Sequence, residues 1–155
     1  MGPADVTMIL GEEQIDALRG AYDADAMNAA ARAATALPWP PAAPFADFLI
    51  GRFYTGEAWP PARRELVLIA IGAANLVGNG RTLAVHLYWG LMEGLGVGEI
   101  ADTLLLVGAY AGIDRYSAAM RVFRALLEQV LRPASSEGGD ATSSGVMRAL
   151  GAIFP

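Results

Sequence analysis

Apolar residues along this chain recur at three- and four-residue intervals, and little of it alternates with a period of two, so helices are predicted and strands are not. The first helical stretch is EEQIDALRGAYDADAMNAAARAATAL (12–37), with Glu12 and Glu13 in the first turn, where they complement the helix dipole. A break is expected near Gly20 or Asp23. PWPPAAP (38–44) cannot be helical, because its prolines lack donors and restrict their neighbours. FADFLIGRFYTG (45–56) sets Phe45, Phe48, Leu49 and Phe53 on one face, and WPP (59–61) stops the chain again. Pro61 is placed to open the next helix. That helix, 62–78, is apolar nearly all round, as a central buried helix would be. A tight turn at 78–81 leads into 81–94, GLGVG (94–98) separates this from 99–112, and 114–132 supplies the last long helix.

These elements predict an all-α bundle of about six helices in one domain spanning 1–132. After Pro133 the composition becomes ASSEGGDATSSG (134–145), a flexible polar spacer, and VMRALGAIFP (146–155) regains Met147, Leu150 and Phe154 on about one helical face. The segment 133–155 is read as a tail, either frayed or ending in a docking segment that latches onto the body or a neighbouring subunit.

Composition sharpens this picture. The chain is 54% hydrophobic and 17% charged, against a usual charged share of about 25%. So sparse a charged surface predicts an obligate homo-oligomer that covers apolar area. A formal charge of −5 argues against a nucleic-acid partner, which requires clustered basic residues. The longest apolar run, 66–78, is shorter than the roughly 20 residues that span a bilayer, and MGPADVTMIL has no cationic leader region. A cytoplasmic protein with no membrane partner is the expectation.

The chemistry open to the chain is narrow. It has no cysteine, one histidine, and arginine for all 11 of its basic residues. Thiol, disulfide and lysine Schiff-base chemistry are excluded, and a single histidine cannot make a typical zinc set. His86 lies in an apolar helix with Thr82 and Leu83 one turn back and Trp89, Gly90 and Glu93 ahead, and it is either a packed core residue or an acid–base group. Gly90 clears space on its face, for a ligand or for a crossing helix. Glu65 stands one turn into the most apolar helix, where a carboxylate needs a partner. It pairs with Arg63 or Arg64, or it orients or exchanges protons with His86; the two would sit some turns apart on the hairpin. Arg64 and Arg81 are candidates for gripping a carboxylated substrate, though Arg81 is equally placed to brace its turn. Tyr110 and Tyr116 flank the AGID bend, where a hydroxyl can serve a carbonyl oxygen or pack an interface. Trp59, Tyr88, Trp89 and Tyr110 line a pocket or fill the core.

The order Arg64-Glu65-Leu66-Val67, then His86, Gly94 and Ile100, then Tyr110-Ala111-Gly112 resembles the carboxymuconolactone decarboxylase family over roughly residues 45–130. The resemblance implies an alkylhydroperoxidase-like fold assembled as trimers or hexamers, with no cofactor and no metal. The family's peroxidase-like branch carries a cysteine pair that would fall near Val77 and Gly80, and both are absent here. The resemblance therefore points to the decarboxylase branch, with His86 as general acid/base; in the peroxidase-like branch an upstream Glu, at the place of Glu65, feeds a proton relay. Arg64 and Arg81 would bind carboxylates, and Tyr110 or a backbone N–H would stabilise a dienolate. Gly112 is followed by Ile113-Asp114-Arg115 where the family often has a proline two residues on. That opening reshapes any pocket beside Tyr110. The expected activity is a cofactor-free lyase on an unsaturated lactone or keto acid. An isomerase or cyclase acting on a larger aromatic or polyketide-like acid uses the same residues, and a non-catalytic oligomeric binding protein would bury His86 in a filled core.

Overall fold

A computed structural model of the chain describes residues 9–22, 44, 48, 52–53, 58–76 and 80–155. The part of the first helical stretch expected over 23–37, and most of the helix expected over 45–56, lie outside the described residues. Within them, every regular element is helical. They are α1 (Glu12–Tyr22), α2 (Pro61–Ala74), α3 (Arg81–Met92), α4 (Val97–Ala111) and α5 (Ile113–Leu126). A π-helical turn, Leu127–Leu131, then leads into the short α6 (Arg132–Ser135), and α7 covers Ser143–Ile153. None of the described helices is long and apolar enough to cross a membrane.

Pro61 opens α2 as its first residue, where a missing N–H costs nothing. The helix ends at Ala74 rather than at 78. Asn75 closes it by donating its side-chain amide to the carbonyl of Ile71 at 3.0 Å, a local bond that competes with another helical turn. Arg115 of α5 donates to the carbonyl of Leu76 at 2.5 Å, so the residues just after the AGID bend brace the end of α2. Gly80 begins α3 with φ +82°, and a Cβ there would stand 2.5 Å from a methyl of Val122. Glycine meets both demands at once.

The last long helix, expected to end at 132, runs on past that residue. Proline within an α-helix clashes with the carbonyl four residues back, which predicts a stop at Pro133. The chain instead widens into the π turn, where Arg132 N–H reaches Leu127 O, and helix continues through Pro133 to Ser135. The wider turn loosens the spacing that proline would otherwise violate.

Helices α2 and α3 form an antiparallel hairpin at the centre, with α4 and α5 packed on it and α1 lying against α3. Ile69, Leu87, Leu91, Ile100, Leu104 and Phe123 are fully buried among them. After Ser135 the chain returns to α3. Thr142 caps α7 by accepting from Gly145 N–H at 3.1 Å, while Asp140 accepts from both the N–H and the hydroxyl of Thr142. Those bonds hold the Asp140 carboxyl below its ordinary range. Val146, Leu150 and Phe154 enter the core, and the buried Tyr88 hydroxyl donates to the buried Ser143 hydroxyl at 3.2 Å.

Candidate active site

The close approach of α2 and α3 is made by glycine. A Cβ on Gly72 would sit 3.8 Å from Cα of Leu83, and one on Gly90 would sit 2.9 Å from the ends of Ile69 and Leu95 and 3.7 Å from Cβ of Glu65. The space cleared by Gly90 is therefore taken by the crossing helix, not by an open cavity. This register sets Glu65 level with Gly90, one turn from His86 on α3, and a glutamate side chain spans that turn. Glu65 Oε2 lies 3.0 Å from His86 Nδ1. The carboxylate is 2% exposed and the imidazole 15%.

This geometry assigns the two ring nitrogens different work. With Glu65 ionised, Nδ1 carries a proton and donates it to the carboxylate, which leaves Nε2 free to take up or release the second proton. The pair thus has the parts of an oriented acid–base group, a carboxylate that fixes the ring and a nitrogen that trades protons. Trp89 stands edge-on to the imidazole with ring centroids 6.0 Å apart, walling one side with apolar surface.

The other predicted site residues are distributed differently. Arg64 is buried beside Glu65 and donates from Nη1 to the carbonyl of Phe53 at 3.1 Å. Arg81 is exposed at the start of α3, where a Cβ on Gly151 of α7 would be 3.5 Å from its guanidinium. It belongs to the seam between α3 and α7. Tyr110 is 88% exposed near the end of α4, so within one copy of the chain its hydroxyl is not gathered into the Glu65–His86 pair. Of the aromatic set, Tyr88 is core, Trp59 is exposed and Trp89 flanks the histidine. Among the described residues no three of the His, Asp and Glu side chains cluster as metal ligands would.

Two residues that sequence reasoning passed over stand close by. Tyr22 of α1 is buried, packs edge-on to Tyr88 at 6.0 Å and brings its hydroxyl to 3.5 Å from Glu93 Oε1. Burial above all, then Glu93, Tyr88 and Glu65, hold its phenol proton well above the ordinary range. Arg19, one turn earlier, donates through Nε and Nη2 to the carbonyl of Leu91 at 3.0 and 2.8 Å, pinning α1 to the C-terminal end of α3. Glu93 was readable on the His86 face; that α1 covers it was not.

An all-α bundle with an oriented Glu–His pair on a central hairpin, and no thiol anywhere in the chain, defines the class. The family model of the carboxymuconolactone decarboxylase family matches residues 42–125, more than half of the chain, and spans both members of that pair. The chain belongs to this family. No curated protein and no solved structure matches it.

Proposed function

We propose that the protein is a cofactor-free lyase acting on an unsaturated lactone or keto acid, with His86 as the general acid/base and Glu65 as the group that orients it. The Glu65–His86 contact carries this reading: a buried carboxylate at 3.0 Å fixes the only imidazole of the chain with one ring edge left to react. In a γ-carboxylactone the bond to the carboxylate breaks, CO₂ leaves, and the electron pair passes into the conjugated lactone carbonyl as a dienolate. His86 then delivers a proton to carbon and recovers one from solvent. Peroxide reduction through a cysteine pair is chemically closed to a chain without cysteine.

Placing the substrate carboxylate and the enolate oxygen calls for cationic or donor groups beyond this pair. In this reading Arg64 is the nearer candidate, and Arg81 and Tyr110 act only if a second copy brings them to the site. Val67 and Ile71 of α2, Leu105, Leu106 and Tyr110 of α4, and Ile113 at the start of α5 are exposed. Together with the low charged share, they support a homo-oligomer in which these helices face a second copy. Sedimentation equilibrium of the full chain is expected to give a multiple of the 16.2 kDa chain mass, and Leu106→Asp to lower it. A monomer at micromolar concentration would remove the oligomer from the proposal.

The activity is tested with a panel of unsaturated lactone and keto acids in D₂O, following CO₂ release and deuterium uptake for the wild type and His86→Asn. CO₂ from the wild type alone supports the lyase. Deuterium uptake without CO₂, again from the wild type alone, moves the assignment to an isomerase or cyclase. Equal turnover by both proteins rules out His86 as the proton carrier.

A further inference from the structure

A glycine inside a helix costs stability, because it loses more conformational freedom on folding than any other residue. Gly90 lies buried within α3, and its φ is not positive, so its own backbone does not call for glycine. The demand comes from its neighbours. Where α3 ends, Gly94 takes φ +104° and donates its N–H to Leu91 O at 3.2 Å, while Leu95 N–H donates to Gly90 O at 2.9 Å. This is the paired helix stop in which the residue after the glycine packs back on the last turn. Here the residue it packs on is Gly90. The ends of Leu95 and of Ile69 from α2 each lie 2.9 Å from where a Gly90 Cβ would stand, and Glu65 Cβ lies 3.7 Å from it.

Carbon atoms pack at about 3.5–4.0 Å, so a side chain at 90 would displace these ends by about half an ångström or more. Ile69 is fully buried and stands one turn after Glu65 on the same face of α2. Pushing it outward carries Glu65 away from α3. The contact from Glu65 to His86 is 3.0 Å. A hydrogen bond is lost beyond about 3.5 Å, so the pair tolerates a shift of only that same size. We propose that Gly90 is a positioning residue for the acid–base pair. The space left by its missing side chain seats Ile69 and Leu95, and that seating holds α2 close enough for Glu65 to reach Nδ1. Its role rests on the reading of Glu65 and His86 as that pair. Gly94 serves the same end at one remove, because its positive φ brings Leu95 onto Gly90.

The test uses the full-length chain labelled with ¹⁵N, whose single histidine reports its own tautomer at a pH that keeps the ring neutral. The wild type is expected to carry the proton on Nδ1, the nitrogen that faces Glu65. Gly90→Ala is expected to shift the population toward Nε2–H. On any acid of the panel that the wild type converts, it should lower kcat by about 10- to 100-fold with little change in KM. Its melting temperature should stay near that of the wild type, since the helix propensity of alanine offsets part of the crowding. Ile69→Val removes the methyl that the new Cβ meets on α2. Gly90→Ala/Ile69→Val is therefore expected to match Ile69→Val alone in tautomer and in turnover. A Gly90→Ala protein with the wild-type tautomer would overturn the proposal, whatever its melting temperature. If Gly90→Ala does not fold, the doubled variant carries the test, and a folded double whose tautomer departs from that of Ile69→Val overturns it equally. Glu65→Leu separates the two levels. If it keeps the wild-type tautomer, the Glu65–His86 reading fails; if it changes the tautomer and Gly90→Ala does not, only the role of Gly90 falls.

Discussion

His86→Ala is expected to lower turnover by about 10²- to 10⁴-fold, the usual worth of a positioned general acid or base, and to destabilise the fold as well. The second effect follows from Glu65, which is 2% exposed and would lose the imidazole that faces it at 3.0 Å. Removing one member of a buried pair costs about 3–5 kcal/mol, and the partial exposure of His86 places this pair at the lower end. His86→Asn separates structure from chemistry. The asparagine amide nitrogen occupies nearly the position of Nδ1 and can still donate to Glu65, but nothing replaces Nε2. Urea midpoints at pH 7 should therefore place the asparagine variant close to wild type and the alanine variant well below it, with both inactive. An asparagine variant that turned over at the wild-type rate would show that Nε2 carries no proton in the reaction.

That His86 and Glu65 were candidates at all was legible, because each is a polar side chain in a helix that is otherwise apolar. Their pairing was not. Counting turns from the loop at 78–81 leaves them apart, whereas the real register of α2 on α3 is set where Gly72 meets Leu83 and Gly90 meets Ile69. Such contacts depend on how deeply two helices interlock, which periodicity does not encode. Tyr22 escaped for a related reason. It reaches Glu93 across 71 positions of sequence, and only the docking of α1 on α3 brings them together. The helical stretch expected to end at 132 runs on to Ser135, with a π turn before Pro133. The all-helical class was readable because it rests on spacing repeated along the whole chain. The exposure of Tyr110 concerns what lies outside one copy, and the sequence of one chain holds no direct record of that.

The second large effect is expected from α7. Its segment reads as polar and glycine-rich up to residue 145, yet Thr142 is a good N-cap and the apolar residues after it fall on one face. Leu150 is fully buried, and Leu150→Ala is expected to cost about 2–5 kcal/mol in urea unfolding. Ser143→Ala would leave the buried Tyr88 hydroxyl without this acceptor and cost about 1–3 kcal/mol. Deleting residues 140–155 removes Val146, Leu150 and Phe154 together, each worth about 1.5–3 kcal/mol of burial, and uncovers Tyr88 on the helix that carries His86. The sum approaches the whole stability of a small domain, about 5–15 kcal/mol, so the shortened chain should lose cooperative unfolding at 25 °C. The cap adds a pH signature. Asp140 is held below its ordinary range in the fold, so its support for α7 is present above the usual carboxylate range and fades as the pH falls through the depressed value. Asp140→Asn should flatten that acid limb of the stability curve while leaving the neutral-pH rank of Leu150→Ala unchanged. A shortened chain that melted cooperatively within about 1 kcal/mol of the full one would show instead that α1 to α6 close their core without α7, and that the Tyr88–Ser143 bond adds little to the placement of α3.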